Sequence, residues 1–257
     1  MKHTLNPSAI NCLIFDYGGT LDTNARHWAH VIWEGYQHAA KSLPFGASLS
    51  EISHEQFRAA YVYGERALAK APIVLPTDNF RDVMLKKVEQ ELHFLLEEGI
   101  WKANDEERKQ AIRSIAEYCY NYAARTVSES RSVLAQLRKH YRMILVSNFY
   151  GNIQSILHDF NLEFFEEVIE SAVVGVRKPD PAIYQLGVDA AKISAGECLV
   201  VGDSFDKDIV PAKAVGCQAI WLKGEGWTSE EQNDLSLPDA VIFKLEELLA
   251  LLQKESG

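Results

Sequence analysis

The stretch LIFDYGGTLD, residues 13–22, runs an apolar segment straight into Asp16, followed by two glycines, Thr20 and Asp22. A buried strand that ends this way delivers one carboxylate to a ligand-sized opening. The Gly18–Gly19–Thr20 turn can then point backbone N–H groups inward as an anion nest. Three further signals follow: LVSNF with Ser147 and Asn148, VGVRKPDPAIY with Lys178 before Pro179, and VVGDSFDKD with Asp203 and Asp208. Phosphoryl transfer needs an in-line nucleophile and dense positive charge around the equatorial oxygens. An aspartate can attack phosphorus and form an acyl phosphate that water later opens. Two carboxylates beside an anionic substrate repel strongly, so such a site requires a divalent cation.

The elements that must hold these residues alternate in texture. INCLIF (10–15), RMILVS (142–147), ECLVVGD (197–203) and CQAIWL (217–222) are short apolar runs suited to strands buried on both faces of a parallel sheet. Helical patterns lie between them. One starts at a Ser128 cap, one opens on Asp180 and Pro181, and one ends on Gly216 with Pro211 near its start. All four signals then sit at carboxyl ends of strands, where open α/β sheets hold ligands.

Residues 24–127 read differently, as four amphipathic helices. Their stripes are Trp28/Val31/Ile32/Tyr36, Phe57/Tyr61/Gly64/Leu68 behind a Ser53–Gln56 capping box, Phe80/Met84/Val88/Leu92/Leu95 behind an Asp78 cap, and Ile112/Ile115/Cys119/Tyr122 behind Asn104. The expectation is an α/β core of residues 1–23 and 128–257, interrupted by a helical bundle of residues 24–127 whose aromatic stripes are its own core. A polar loop, GEGWTSEEQNDLSLPD, precedes a last short strand at 240–243 and a closing helix.

The 257 residues carry a formal net charge of −10, which argues against a nucleic-acid partner but leaves room for a small anionic substrate in a local positive pocket. Cys12, Cys119, Cys198 and Cys217 are scattered without a CxxC pair and read as buried free thiols. No signal peptide or membrane span is evident, and the expected place is the cytoplasm.

Taken together and in order, the four signals resemble those of the haloacid dehalogenase (HAD) superfamily, whose members are mostly Mg2+-dependent phosphatases. The helical insertion falls where the cap of the C1 group belongs. The resemblance implies a Rossmann-like core and Asp16 as nucleophile. Asp203 would share Mg2+ with Asp16, and Asp208 would hold the metal's waters. Ser147 and Lys178 would grip the phosphate, and Asn148 would support the pocket. The substrate would be a small phosphorylated metabolite, and a homodimer stays open.

One position departs. Phosphatases of this superfamily normally carry an aspartate where this chain has Gly18, to protonate the leaving oxygen. The main-chain carbonyl through which relatives ligate Mg2+ is retained by a glycine. His27 matches, with a one-residue shift, a hinge histidine that approaches the site in some relatives, and it is the candidate proton donor. Three other readings stay open. Phosphonoacetaldehyde hydrolases carry a small residue at this position and use a cap lysine, although none of Lys41, Lys70, Lys86, Lys87 and Lys102 stands in an evidently apolar context. Haloacid dehalogenases also lack the second aspartate but work without the metal-binding motif seen here. A protein that binds phosphorylated ligands and turns them over poorly is the third.

Overall fold

The computed structural model describes residues 5–70, 72–227 and 234–253. Six strands form one all-parallel sheet in the order β3-β2-β1-β4-β5-β6. They are β1 (Cys12–Phe15), β2 (Arg142–Ser147), β3 (Glu167–Glu170), β4 (Cys198–Gly202), β5 (Gln218–Leu222) and β6 (Ala240–Ile242). Every residue of β1 and β4 is buried, as central strands covered on both faces must be. The helices are α1 (Trp28–Ser42), α2 (Gly46–Ser50), α3 (His54–Lys70), α4 (Phe80–Glu97), α5 (Asp105–Leu137), α6 (Ile153–Asp159), α7 (Ser171–Val174), α8 (Ala182–Ala191), α9 (Val210–Ala214) and α10 (Glu247–Leu251).

The chain divides into two compact units: Met1–His27 with Arg125–Gly151 and Phe160–Gly257, and Trp28–Ala124 with Asn152–Asp159. Two segments therefore group otherwise than the sequence pattern suggests. Residues 24–27 belong with the sheet, because Ala25 N–H donates to Gly19 O at 2.6 Å, and the Asn24 side chain bonds Phe243 O and Leu245 N. Residues 152–159 belong with the helices, because Asn152 Nδ2 donates to Asp78 O and Ser155 Oγ to Pro76 O.

In the helical unit the aromatic stripes do form a core, with Trp33, Tyr36 and Phe57 ring centroids 5.0–6.4 Å apart. The Ser53–Gln56 capping box is present, and Asn104 caps α5 by accepting from the Glu106 and Glu107 N–H groups. Asp78 is not the cap of α4. Asn79 is, in a capping box with Asp82, while Asp78 accepts from Leu75 N–H and pairs with Lys86. Nor does Ser128 start a helix: nothing between Asp105 and Leu137 is Gly or Pro, and α5 runs through it unbroken. The N-cap of α8 is Pro181 and not Asp180, which stands one residue earlier and accepts from Ala182 N–H. In the expected polar loop, residues 228–233 lie outside the described residues. No helix among the described residues is long and apolar enough to cross a membrane.

Candidate active site

The site is assembled where β1, β4 and the segments after β2 and β3 reach one edge of the sheet. Asp16 directly follows β1 and still donates its N–H across to Val201 O of β4. Strand pairing thus fixes its backbone before its side chain meets anything. Its Oδ1 accepts from Lys178 Nζ at 2.5 Å, and its Oδ2 lies 3.1 Å from Thr20 Oγ1. Asp203 directly follows β4. Its N–H donates to Thr20 Oγ1 at 3.0 Å, and its Oδ1 lies 3.0 Å from the same hydroxyl. Thr20 therefore stands between the two carboxylates, with one proton to give to one of them at a time.

Asp208 lies on a π-helical turn, Phe205–Ile209, which carries its carboxylate back under β4. Its Oδ1 accepts from Lys178 Nζ at 2.7 Å and from Tyr184 OH at 2.8 Å, and its Oδ2 from Ser204 N–H. Close packing requires two glycines here. A Cβ on Gly19, whose φ is +97°, would stand 2.4 Å from Asp203 Oδ2, and a Cβ on Gly202 would stand 2.4 Å from Asp208 Cβ. Gly18 is different: it is exposed, and a Cβ there would meet nothing within 4 Å.

The electrostatics are lopsided. One oxygen from each of Asp16, Asp203 and Asp208 lies within 4.8 Å of the others, against one lysine ammonium. Burial pushes the Asp16 carboxyl up to about 6; the Lys178 charge opposes this and the Asp208 charge reinforces it. Burial, then the charges of Asp16 and Asp208, push Asp203 well above the usual carboxylate range. For Lys178 burial alone would lower the pKa, but the two carboxylates outweigh it and raise it. An all-oxygen donor set with surplus negative charge, one member partly exposed, fits a hard divalent cation.

The remaining sequence candidates are placed as follows. Asn148 is joined to the lysine through the main chain: its Oδ1 accepts from Lys178 N–H at 2.9 Å and its Nδ2 donates to Lys178 O at 3.1 Å. Its side-chain groups thus set the lysine's backbone. Ser147 Oγ is buried without a hydrogen-bond partner, a costly arrangement that an incoming ligand oxygen would relieve. In the anticipated anion nest, the Gly19 N–H is already committed to Asp22 Oδ1 at 2.7 Å. His27 lies on the strap that Ala25 ties to Gly19. Its N–H donates to Glu225 O at 2.8 Å and its ring packs on Trp227 at 4.7 Å.

Two contributors were missed. Tyr184 bonds Asp208 and stands beside the Lys178 ammonium at 5.3 Å, and its signal was a tyrosine on the buried stripe six residues after the lysine. Trp221 Nε1 donates to Asp203 O and steadies that turn from β5.

Comparison with known proteins places the chain in a family. The family model of haloacid dehalogenase-like hydrolases matches residues 10–216. Glyceraldehyde 3-phosphate phosphatase of Pyrococcus abyssi is 36% identical over 136 residues, 52% of this chain and 57% of that protein. The chain thus spans little more than half the length of that curated relative. Among solved structures, 2-haloacid dehalogenase from Pseudomonas syringae pv. Tomato aligns over 95% of this chain and 98% of its own, at TM-score 0.51 and 22% identity. A HAD phosphatase from Thermococcus onnurineus aligns over 96% and 100%, at TM-score 0.51 and 20% identity. At those identities the solved structures speak for the fold alone, but the family model covers most of the chain, and the chain belongs to the haloacid dehalogenase-like hydrolases.

Proposed function

We propose that this hydrolase is a Mg2+-dependent phosphatase of a small phosphorylated metabolite, with Asp16 as the nucleophile. The observation that carries the reading is the excess of three clustered carboxylates, two of them buried, over one ammonium at the end of β1 and β4. Asp16, Asp203 and the Gly18 carbonyl would hold the ion, and Asp208 would order its waters. When bound, the ion supplies the positive charge that lets an anionic phosphate approach these acids. The phosphatase name of the archaeal relative points the same way.

The chain's own residues then divide the work. An Asp16 oxygen forms the new P–O bond as the ester P–O bond breaks, and water later cleaves the acyl phosphate to restore the carboxylate. Lys178, fixed by Asn148 through its backbone and by Asp208 through its ammonium, keeps positive charge beside Asp16. The unpartnered Ser147 hydroxyl donates to a phosphate oxygen. His27 gives the proton to the leaving oxygen, and the strap that bonds Gly19 O supports that role. The helical unit selects the substrate. Four free thiols fit a reducing, cytoplasmic setting.

The test is hydrolysis of p-nitrophenyl phosphate and a panel of alkyl phosphates, with and without Mg2+. Mg2+-dependent release, abolished in Asp16→Asn, is expected. Mg2+-dependent binding of phosphate analogues without turnover would instead make the chain a ligand-binding protein. Gly18→Asp is expected to raise turnover of alkyl phosphates about tenfold, a fraction of the 10²–10⁴ that general acid catalysis supplies. The open space at Gly18 accommodates the new side chain.

A further inference from the structure

Three of the four cysteines, separated by up to 205 positions in the sequence, fall on one row of the sheet. Cys12 of β1 is the register partner of Cys198 of β4. Leu199 pairs with Gln218, so one step earlier the same register sets Cys198 beside Cys217 at the entrance to β5. On its other side Cys12 is paired with Arg142 of β2. The row therefore reads Arg142, Cys12, Cys198, Cys217, at the edge where the strands begin and opposite the one that bears Asp16 and Asp203. All three thiols are reduced, buried and part of one core cluster with Ala191 and Val188 of α8. Cys119 lies on α5 in the helical unit and is not part of the sheet.

From this row we infer an oxidation site: peroxide joins Cys198 to one of its two neighbours, Cys12 or Cys217, as a disulfide. Neighbouring strands lie about 4.8 Å apart. A disulfide spans Cα separations of about 4.4–6.8 Å, so either adjacent pair is within reach. The outer pair is two strand spacings apart, roughly 9.6 Å, and cannot be bridged without moving the backbone. Cys198 is thus the obligatory member.

Its chemistry suits the role. Cys12 and Cys217 flank Cys198 along the row and lower its thiol pKa, against burial, which raises it. A thiolate is the form that attacks peroxide. The Cys198 sulfur takes one peroxide oxygen as the O–O bond breaks, giving a sulfenic acid and, with the proton lost from the thiol, water. A neighbouring thiol then attacks that sulfur, the S–S bond forms, and the hydroxyl leaves as a second water. Two thiols are oxidised and one peroxide is reduced, with no further reactant.

Access comes from the strand starts. Each thiol directly follows a residue with solvent contact, namely Asn11, Glu197 or Gly216, and the Arg142 end of the row reaches the surface. Openings confined to element ends have low free energy compared with global unfolding. The consequence is mechanical: either bond ties β4, which carries Asp203, to a neighbouring strand at the end remote from the site.

The test treats the intact protein with hydrogen peroxide under native conditions. Protein is then unfolded without reductant, free thiols are alkylated, and linked peptides are mapped by mass spectrometry. Wild type is expected to fall from four free thiols to two, with Cys198 linked to Cys12 or Cys217 and Cys119 free. Cys12→Ser and Cys217→Ser should each retain one bond, whereas Cys198→Ser should form none within the row. Four free thiols in treated wild type would overturn the inference. So would a Cys12–Cys217 bond in Cys198→Ser, which only an opened chain can make.

Discussion

Each unit of this chain buries a lysine among carboxylates and tyrosines, and the two clusters are built from the same parts. In the sheet unit Lys178 bonds Asp16 and Asp208, lies near the Tyr184 ring, and Tyr184 OH donates to Asp208. In the helical unit Lys87 pairs with Glu65, its ammonium is 4.3 Å from the Tyr61 ring centroid, and Tyr36 OH donates to Glu91 at 3.2 Å. The difference is in charge and mounting. Around Lys178 three carboxylates converge from the segments that follow β1 and β4, and the surplus negative charge calls for a cation. Around Lys87 the groups stand on helices α1, α3 and α4, and burial drives the Glu91 carboxyl up to about 8, with the Lys87 charge opposing. Burial thus favours the neutral form of Glu91, and the Lys87–Glu65 pair is closer to charge balance than the Lys178 cluster. The lesson is that buried ionic groups mark a reactive site when they leave a charge for a ligand to answer, and a structural core when they cancel.

The contrast can be broken most sharply at the two lysines. Lys178→Met should reduce Mg2+-dependent phosphate hydrolysis by on the order of 10³-fold or more, since it removes the cation beside the nucleophile. Lys87→Met should act on stability instead. Glu65 is partly exposed and can hydrate, so a loss of about 1–3 kcal/mol is expected, read from denaturant midpoints. If the two variants lose activity alike at equal stability, the division between the clusters is wrong.

A smaller effect tests the packing that permits the surplus charge. Gly202→Ala drives a methyl group into the Asp208 carboxylate and is expected to cost a few kcal/mol, comparable to overpacking a core. Gly18→Ala, at a site with open space, should leave the melting temperature nearly unchanged. Equal destabilisation by both would contradict the geometry.

A further test concerns pH. The Glu91 pKa is raised from 4.5 to about 8 in the fold, so the unfolded chain releases this proton at lower pH than the native one. Its contribution to stability is fully present below about pH 4.5 and is lost as pH rises towards 8. Glu91→Gln should flatten the decline in stability between pH 5 and 8, measured by urea unfolding. An unchanged slope would show that Glu91 is already ionised at neutral pH in the fold.

Much of this was legible from sequence because the central strands are buried on both faces. The runs around Cys12–Phe15, Arg142–Ser147 and Cys198–Gly202 announce themselves as apolar blocks that lead into the candidate site residues. Strand β3 did not, since EVIE is four residues long, half-exposed and bears two glutamates. Ser128 looked like a cap because serine favours caps. Yet its carbonyl accepts from Ser132 Oγ within the helix, a bond that local sequence cannot rank against a terminus. Asp16, Lys178 and Asp203 could be named from motif order, whereas Tyr184's bond to Asp208 and the burial of Lys87 depend on tertiary packing. The thiol row was invisible for a plainer reason: strand register brings together residues 12 and 198, which no spacing rule connects.

The most direct measurement is a rapid acid quench of enzyme mixed with p-nitrophenyl phosphate and Mg2+, followed by peptide mass spectrometry. The account predicts a phosphoryl group on the peptide containing Asp16, present only with Mg2+ and absent in Asp16→Asn. Steady turnover with no phosphorylated aspartate, or with the label on another residue, would contradict it.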